Sequence, residues 1–130
     1  MIILRVRIGE FTVRNKRDLG NVGEKQAAQL LISSGLQISA LNYRCPKGEM
    51  DIIARDGKDL VFVEVRTRRS PRWGWGEESI RPDKAKRLQA IAAYYVKQQG
   101  YTFWPSMRFD VIAIRWLEEG PELKWIQAAL

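Results

Sequence analysis

The chain has 130 residues, 45% of them hydrophobic and 28% charged, which predicts one globular domain over residues 1–130 rather than a disordered chain. Histidine is absent and Cys45 is the single cysteine, which excludes histidine-based catalytic triads, histidine metal sites and intrachain disulfides. Lys and Arg number 22 against 15 Asp and Glu, and the resulting net charge of +7 favours an anionic partner such as nucleic acid.

Residues 1–15 form the least regular part of the sequence, and they suggest either a basic arm or an added strand. The apolar run that starts at Met1 is broken by Arg5 and Arg7, so it is too short for a signal-peptide core or a membrane span. We therefore expect a cytoplasmic protein that has no membrane contact.

Two helices and five strands are predicted from the spacing of apolar residues. The helices cover about 18–34 and 82–99, and the strands cover about 36–43, 49–55, 60–67, 107–116 and 123–128. In the first of these strands Ile38 and Ala40 are expected on one face. The order is helix, three strands, helix and two strands, which predicts an α/β fold with a mixed central sheet flanked by helices.

The third strand begins with the apolar run Leu60–Val63, as expected for a central strand that is covered on both faces. The Asp56-Gly57 pair before it predicts a two-residue hairpin turn. With that pair at the centre of the turn, Glu49 lies directly opposite Glu64.

Because cross-strand partners share a face of the sheet, Glu49, Asp51, Glu64 and Arg66 are all predicted to project from the same side. Clustered carboxylates suit Mg²⁺ or Mn²⁺, and a nearby cation can stabilise a phosphate, so this set could hydrolyse phosphodiester bonds. The alternative is a solvated hairpin surface, because the acidic pattern is short. Spacing alone leaves both interpretations open.

The segment between Arg66 and Arg87 holds eight basic residues and three acids. Three of these arginines follow the third strand, where a nucleic-acid backbone would pass; they are Arg68, Arg69 and Arg72. The alternative interpretation is ordinary solvated surface.

Tryptophans lie in this basic segment and beyond it. Trp73 and Trp75 could stack on unpaired bases, or they could anchor the loop or form a dimer contact. Trp104, Trp116 and Trp125 are most simply interpreted as packing residues of the core or of a sheet edge.

Two runs carry a family resemblance: GEMDIIARDG at residues 48–57 and LVFVEVRTR at residues 60–68. Shorter matches support them at Gly23-Glu24, Asn42-Tyr43-Arg44, Glu78-Ser79-Ile80, Lys84 with Arg87 and Leu88, and Arg108-Phe109-Asp110-Val111. With these motifs the chain resembles, over about residues 17–116, the YraN family of bacterial endonuclease-like proteins. That family is similar to archaeal Holliday-junction resolvases and implies a restriction-endonuclease-like core.

The resemblance implies a metal-dependent nuclease site with the signature PD-(D/E)xK. Carried over by position, the ligands of Mg²⁺ or Mn²⁺ would be Glu24, Asp51 and Glu64, with Glu49 as an accessory acid. The signature ends in Lys, where this chain has Arg66.

Arginine cannot accept a proton, but it can clamp a phosphate, so the change at Arg66 bears on turnover more than on binding. Lys84 or Lys86, at the start of the second helix, is expected to supply the missing ammonium group, and Lys84 is the better match. The expected nucleic-acid contacts are Arg44, Arg68, Arg69, Arg72, Trp73, Trp75 and Arg87.

The leading hypothesis is therefore a metal-dependent endonuclease that acts on DNA, rather than RNA, of branched or otherwise structured form. One alternative is a nucleic-acid-binding module that keeps the nuclease fold without turnover. Another is a basic protein-interaction domain. The likeness to resolvases, which cut two symmetric strands, makes a homodimer an expectation as well.

Overall fold

The computed structural model describes residues 2–5, 16–68, 80–118 and 120–130. Its elements, in chain order, are β1 (Ile2–Arg5), α1 (Lys16–Ser33), β2 (Gln37–Cys45), β3 (Gly48–Asp56), β4 (Asp59–Arg68), α2 (Pro82–Gln98), β5 (Met107–Leu117) and β6 (Gly120–Ile126). The predicted order of two helices and five strands is confirmed, and residues 2–5 are the added strand rather than an arm. The assignment of residues 1–130 to one domain stays a prediction.

The six described strands form one mixed sheet with the order β1-β6-β5-β4-β3-β2. Neighbouring strands are antiparallel except β4 and β5, which run parallel and are connected through α2. The predicted α/β fold with a mixed central sheet is thus confirmed. In the described part of the chain, neither helix is long and apolar enough to cross a membrane.

Strand β4 lies inside the sheet, and its apolar residues are covered on both faces, as its sequence predicts. Val61 and Val63 belong to the buried cluster on the α1 side, whereas Leu60 and Phe62 belong to the cluster on the α2 side. All four side chains are at most 1% exposed. The packing of residues 60–63 on both faces therefore fixes the position of the next residue of β4, Glu64.

The hairpin between β3 and β4 exists, but the predicted register is wrong. Asp56 pairs with Asp59, so the central turn residues are Gly57 and Lys58 rather than Asp56 and Gly57. Gly57 has φ +62°, while Lys58 does not take a positive φ, which matches a turn that needs glycine only at its first central position.

The corrected register moves each cross-strand partner by two positions. Glu49 therefore does not lie opposite Glu64, and the pairing of the two strands ends earlier, with Ile52 opposite Val63. Because the shift is two residues rather than one, no side chain changes face. The expected acidic face is preserved although the expected partners are not.

Strand β2 departs from regular alternation. Its register against β3 shifts between Ile38 and Ala40, and the two side chains pack into the clusters on opposite faces of the sheet. The expectation that they share a face is therefore wrong, because the irregularity resets the alternation of the strand.

Asp110 is a buried acid of the sheet that accepts hydrogen bonds from several donors. Its carboxylate accepts hydrogen bonds from Trp125 Nε1 (2.9 Å), from the Ala128 N–H (3.0 Å) and from Arg108 Nε (3.1 Å). The Asp110 side chain has no exposed surface. This network joins β5, β6 and the residues after β6.

We predict that Asp110→Ala lowers the free energy of unfolding by about 3 kcal/mol or more, because it leaves buried donors on Trp125 and Arg108 without their acceptor. Urea denaturation monitored by circular dichroism measures the loss. The control is Asp83→Ala, which removes an exposed carboxylate and should change stability little. Equal effects of the two substitutions would contradict the structural role of Asp110.

Candidate active site

The candidate site begins where β3 and β4 stop pairing. Beyond Ile52 and Val63 the strands separate, and the carboxylate of Asp51 accepts the Val65 N–H at 2.8 Å. A side chain thus takes the hydrogen bond of a backbone donor at the end of the ladder. The Asp51 carboxylate is thereby fixed between the two strands.

A small cavity of about 70 Å³ opens at this point. Its walls come from β3, β4 and the first half of α2: Glu49, Met50, Asp51, Glu64, Lys84 and Leu88. Three carboxylates and one ammonium group therefore face a single space, which has room for a few water molecules or a partly hydrated cation. Four of the residues predicted for the site are brought together here.

Glu64 lies at the centre of the charge pairs in this cavity. Lys84 Nζ contacts its Oε1 atom, while Arg66 Nη2 and Nε approach its Oε2 atom at 3.1 and 3.2 Å. The Glu64 side chain is only 8% exposed. Both oxygens of a buried carboxylate thus meet a positive charge, as a buried ion requires.

Asp51 experiences a less favourable environment. Burial, together with the negative charges of Glu24, Glu64 and Glu49, raises the pKa of its carboxyl to about 6, although the hydrogen bond from the Val65 N–H opposes the shift. A bound cation would reduce the repulsion between the half-buried Asp51 carboxylate and its three acidic neighbours. The electrostatics of the site therefore favour the binding of positive charge.

Glu24, on α1, affects the pKa of Asp51 through its charge. Its position depends on Gly23, where an added Cβ would come within 2.9 Å of Thr67 Oγ1 and 3.2 Å of Ile114 Cδ1. The glycine therefore allows α1 to lie close to β4 and β5. Glu24 lines a separate groove along α1 and β2, and does not line the cavity that Asp51 faces.

The described residues contain no group of three or more Asp, Glu or Cys side chains close enough to hold a metal ion together. The three-ligand set Glu24, Asp51 and Glu64 therefore stays a prediction. What the geometry joins is the pair Asp51 and Glu64, with Glu49 beside them.

Two of the predicted nucleic-acid contacts lie near the cavity. Arg44 is 80% exposed and its Nε is 3.8 Å from Glu49 Oε1. Arg87 is exposed on α2, and its aliphatic stem passes close to the start of β3. The Arg68 backbone ends β4, whereas its side chain and the whole of Arg69, Arg72, Trp73 and Trp75 lie outside the described residues.

The tryptophan interpretations are confirmed for two residues and wrong for the third. Trp125 is buried and Trp116 packs against the α1-side core, but Trp104 is 64% exposed. Phe103 beside it is exposed as well, and sequence reasoning gave it no role. The one available signal was their position between Gly100 and Pro105, two residues that favour a surface loop.

Comparison with known proteins gives the same family as the sequence motifs. The model of the Uncharacterised protein family UPF0102 matches residues 23–114. A UPF0102 protein of Desulfitobacterium hafniense strain Y51 is 49% identical over 116 residues, which cover 87% of this chain and 96% of that protein. One from Moorella thermoacetica is 48% identical over 103 residues, covering 79% and 84% respectively.

Among solved structures, the chain is similar to "The structure of Pyrococcus Furiosus SfsA in complex with Ca2+". The TM-score is 0.36 and the identity 11%, with 95% of this chain and 68% of the SfsA chain covered.

We predict that Asp51→Asn stabilises the protein in the presence of a chelator, and that the gain depends on pH. The pKa of Asp51 is raised in the folded chain, so the contribution of this carboxyl to stability is fully present below about pH 4 and is lost as pH rises through about 6. Asparagine keeps an acceptor for the Val65 N–H without the charge. Its melting temperature should exceed that of the native chain by a few degrees at pH 8, with the difference vanishing near pH 4.

Thermal unfolding at a series of pH values measures this difference. Asp83→Asn, which changes an exposed carboxylate, is the matched control and should show no such pH dependence. A pH-independent difference for Asp51→Asn would contradict the unfavourable charge environment.

Proposed function

The chain belongs to the UPF0102 or YraN family, and from the chemistry of its cavity we propose that it is a divalent-metal-dependent endonuclease. In this proposal the protein binds nucleic acid and hydrolyses DNA phosphodiester bonds. The description of the family assigns no activity. The observation that carries the proposal is the convergence of three carboxylates and two cationic side chains at one small cavity. The substrate would be branched or otherwise structured DNA, with RNA the second choice.

The donor set fits Mg²⁺ or Mn²⁺. Asp51 and Glu64 supply carboxylate oxygens, which these ions prefer, and Mg²⁺ keeps several waters and often binds through one or two carboxylates. Burial and three acidic neighbours raise the pKa of Asp51, which supports a site for a positive ion beside it. In this proposal Asp51 and Glu64 hold the ion, with Glu49 and Glu24 as accessory acids.

A divalent ion, when bound, lowers the pKa of a coordinated water and neutralises charge on a phosphate. The chain's own cations supply the rest. Arg66 can form two hydrogen bonds with phosphate oxygens, because its planar guanidinium matches their geometry. Lys84 offers an ammonium group from α2 on the same side of the cavity as Glu64. Both residues hold Glu64 in place before substrate arrives.

The surface around the cavity supports an anionic partner. The chain carries a net charge of +7, and Arg44 and Arg87 are exposed on β2 and α2 beside the cavity. Arg68, Arg69 and Arg72 would extend this basic surface beyond the end of β4. A homodimer, which would present two cavities to two strands, belongs to the proposal as the assembly expected of a resolvase-like enzyme.

A specific observation favours the second candidate, a nucleic-acid-binding module without turnover. Lys84 and Arg66 already neutralise both oxygens of Glu64, and Arg66 stands where a signature lysine is expected. If these pairs do not yield to a metal ion, the cavity lacks the ion needed for hydrolysis, and the basic surface around it binds nucleic acid without cleaving it. Metal titration and cleavage assays separate the two candidates.

We predict that the protein binds Mn²⁺ and that the double substitution Asp51→Ala with Glu64→Ala abolishes the binding. Isothermal titration calorimetry measures it, and Asp59→Ala is the control because Asp59 begins β4 five residues, or about 16 Å, before Glu64. The control should bind like the native chain. No saturable heat at millimolar Mn²⁺ in the native protein would favour the binding module.

We predict that the native chain with Mg²⁺ or Mn²⁺ cleaves at least one of a nicked duplex, a flap and a four-way junction. Asp51→Asn should lower the cleavage rate at least 100-fold, because it weakens the metal site, while leaving DNA affinity within about threefold. Gel assays of cleavage, and of binding in EDTA, measure the two quantities. Binding without cleavage of any of these substrates would establish the module instead.

A further inference from the structure

A second cavity, much larger than the acidic one, lies along the C-terminal half of α2 and the loop that follows it. Its volume is about 640 Å³, within the range of ligand-binding pockets. We call it the aromatic groove. Its aromatic and charged lining residues are Lys47, Tyr94, Lys97, Tyr101, Phe103 and Trp104, and smaller residues such as Ala90 line the rest.

The loop from residue 99 to residue 106 exposes two large aromatic side chains. Phe103 is 72% exposed and Trp104 is 64% exposed, the highest values among the large hydrophobic residues exposed in the described part of the chain. Adjacent exposed aromatic residues at the wall of a cavity are typical of binding surfaces rather than of a chance exposure of single residues.

Contacts on both sides of these aromatic residues hold the loop in place. Arg55 donates a hydrogen bond to the Tyr101 hydroxyl, and its guanidinium lies over the Tyr101 ring, 5.9 Å from the centroid. After the aromatic pair, Pro105 is buried and the Ser106 carbonyl accepts the Leu60 N–H at 2.9 Å. The exposed rings are therefore presented by a fixed loop, which lowers the entropic cost of binding a ligand to them.

The charge of the groove selects the chemistry of its ligand. Lys47 and Lys97 line it, and none of its described lining residues is an acid. Aromatic faces combined with cations are the features by which proteins bind single-stranded nucleic acid, since bases stack and phosphates pair. A symmetric contact with a second copy would instead bring four lysines together, two from each chain, and like charges that face each other disfavour such a contact.

The groove is close to the acidic cavity along two elements. Lys47 lines the groove and Glu49 lines the cavity, two residues away along the chain; on α2, Leu88 lines the cavity and Ala90 lines the groove. From Leu88 to Lys97 the helix rises about 14 Å. A nucleic-acid strand that leaves the cavity along α2 would therefore pass over the aromatic pair.

We propose that the aromatic groove binds an unpaired segment of nucleic acid by stacking its bases on Phe103 and Trp104, with Lys47 and Lys97 on the phosphates. Binding in the groove does not depend on the proposed function. Only the continuation of the bound segment into the acidic cavity rests on it. The groove identifies unpaired nucleotides as the substrate feature that the protein selects.

The test uses the full chain in EDTA, so that no cleavage can occur, with a fluorescein-labelled oligothymidine of 12 nucleotides as the probe. Trp104→Ala and Phe103→Ala should each weaken binding about 5- to 100-fold. Ile32→Ala removes another exposed apolar side chain, from α1, and should leave affinity unchanged. Lys97→Ala should lower the slope of affinity against salt by about 0.7, since one phosphate contact is lost.

Trp104→Phe provides a readout specific for contact with the probe. Phenylalanine keeps a ring for stacking, so affinity should stay within about threefold of the native chain. The quenching of tryptophan fluorescence by unlabelled oligothymidine should nevertheless fall, because the contacting indole has been removed. Unchanged quenching in this variant would place the bound strand elsewhere and overturn the inference.

The remaining outcomes separate this inference from the proposed function. Cleavage of DNA without affinity for oligothymidine would overturn the groove and leave the nuclease standing. Oligothymidine binding that requires Trp104, without any cleavage, would support the groove and count against the nuclease. A dimer in sedimentation velocity that Trp104→Ala disrupts, without oligothymidine binding, would identify the groove as a contact between copies and overturn the inference.

Discussion

Negative charge buried at the separating ends of β3 and β4 is the constraint around which the neighbouring parts of the structure are arranged. Glu64 continues a strand whose preceding residues are fully packed, so its carboxylate cannot move to solvent without moving the core. Arg66 from the same strand and Lys84 from α2 neutralise it. The position of α2 across β3 is therefore tied to the charge of Glu64 as well as to apolar packing.

Two aspartates of this sheet, the buried Asp110 and the half-buried Asp51, show how structural and functional carboxylates differ. Asp110 accepts three hydrogen bonds, from Arg108, Trp125 and the Ala128 backbone, and so joins β5, β6 and the residues after β6. Asp51 accepts a backbone N–H, but burial and the charges of three other acids raise its pKa. An arrangement that opposes its own ionisation next to a cavity is characteristic of functional sites.

The sequence was sufficient to predict the helices and strands and the face of the sheet on which the acidic residues lie. The buried apolar run at the start of β4 identified a central strand, and the glycine of the Asp56-Gly57 pair located the hairpin. The register was missed by two positions, because glycine can occupy either central position of a two-residue turn and local residue preferences do not choose between them. The predicted face of each side chain was nevertheless correct, since a register shift of two residues preserves the alternation of side chains.

Other features depend on tertiary contacts that the local pattern does not contain. The irregularity in β2 between Ile38 and Ala40 has no distinct sequence signal, so alternation was extended through it. Trp104 was assigned to packing because it lies near a predicted strand. Its exposure follows from the loop anchors at Tyr101 and Pro105, one of which requires Arg55 from a strand distant in sequence. The separation of Glu24 from the cavity likewise depends on how α1 lies against the sheet.

Helix α2 connects the two candidate binding surfaces. Its first half lines one surface and its second half lines the other, as the residues of each half explain. Its first half brings Lys84 and Leu88 to the acidic cavity, where charge and a small volume suit an ion and a phosphate. Its second half brings Tyr94 and Lys97 to the aromatic groove, where ring faces and a large volume suit bases. A phosphodiester chain carries both kinds of group in alternation, so one ligand class satisfies both halves of the helix. A small anionic substrate would occupy the first half alone and leave the exposed aromatic pair unexplained.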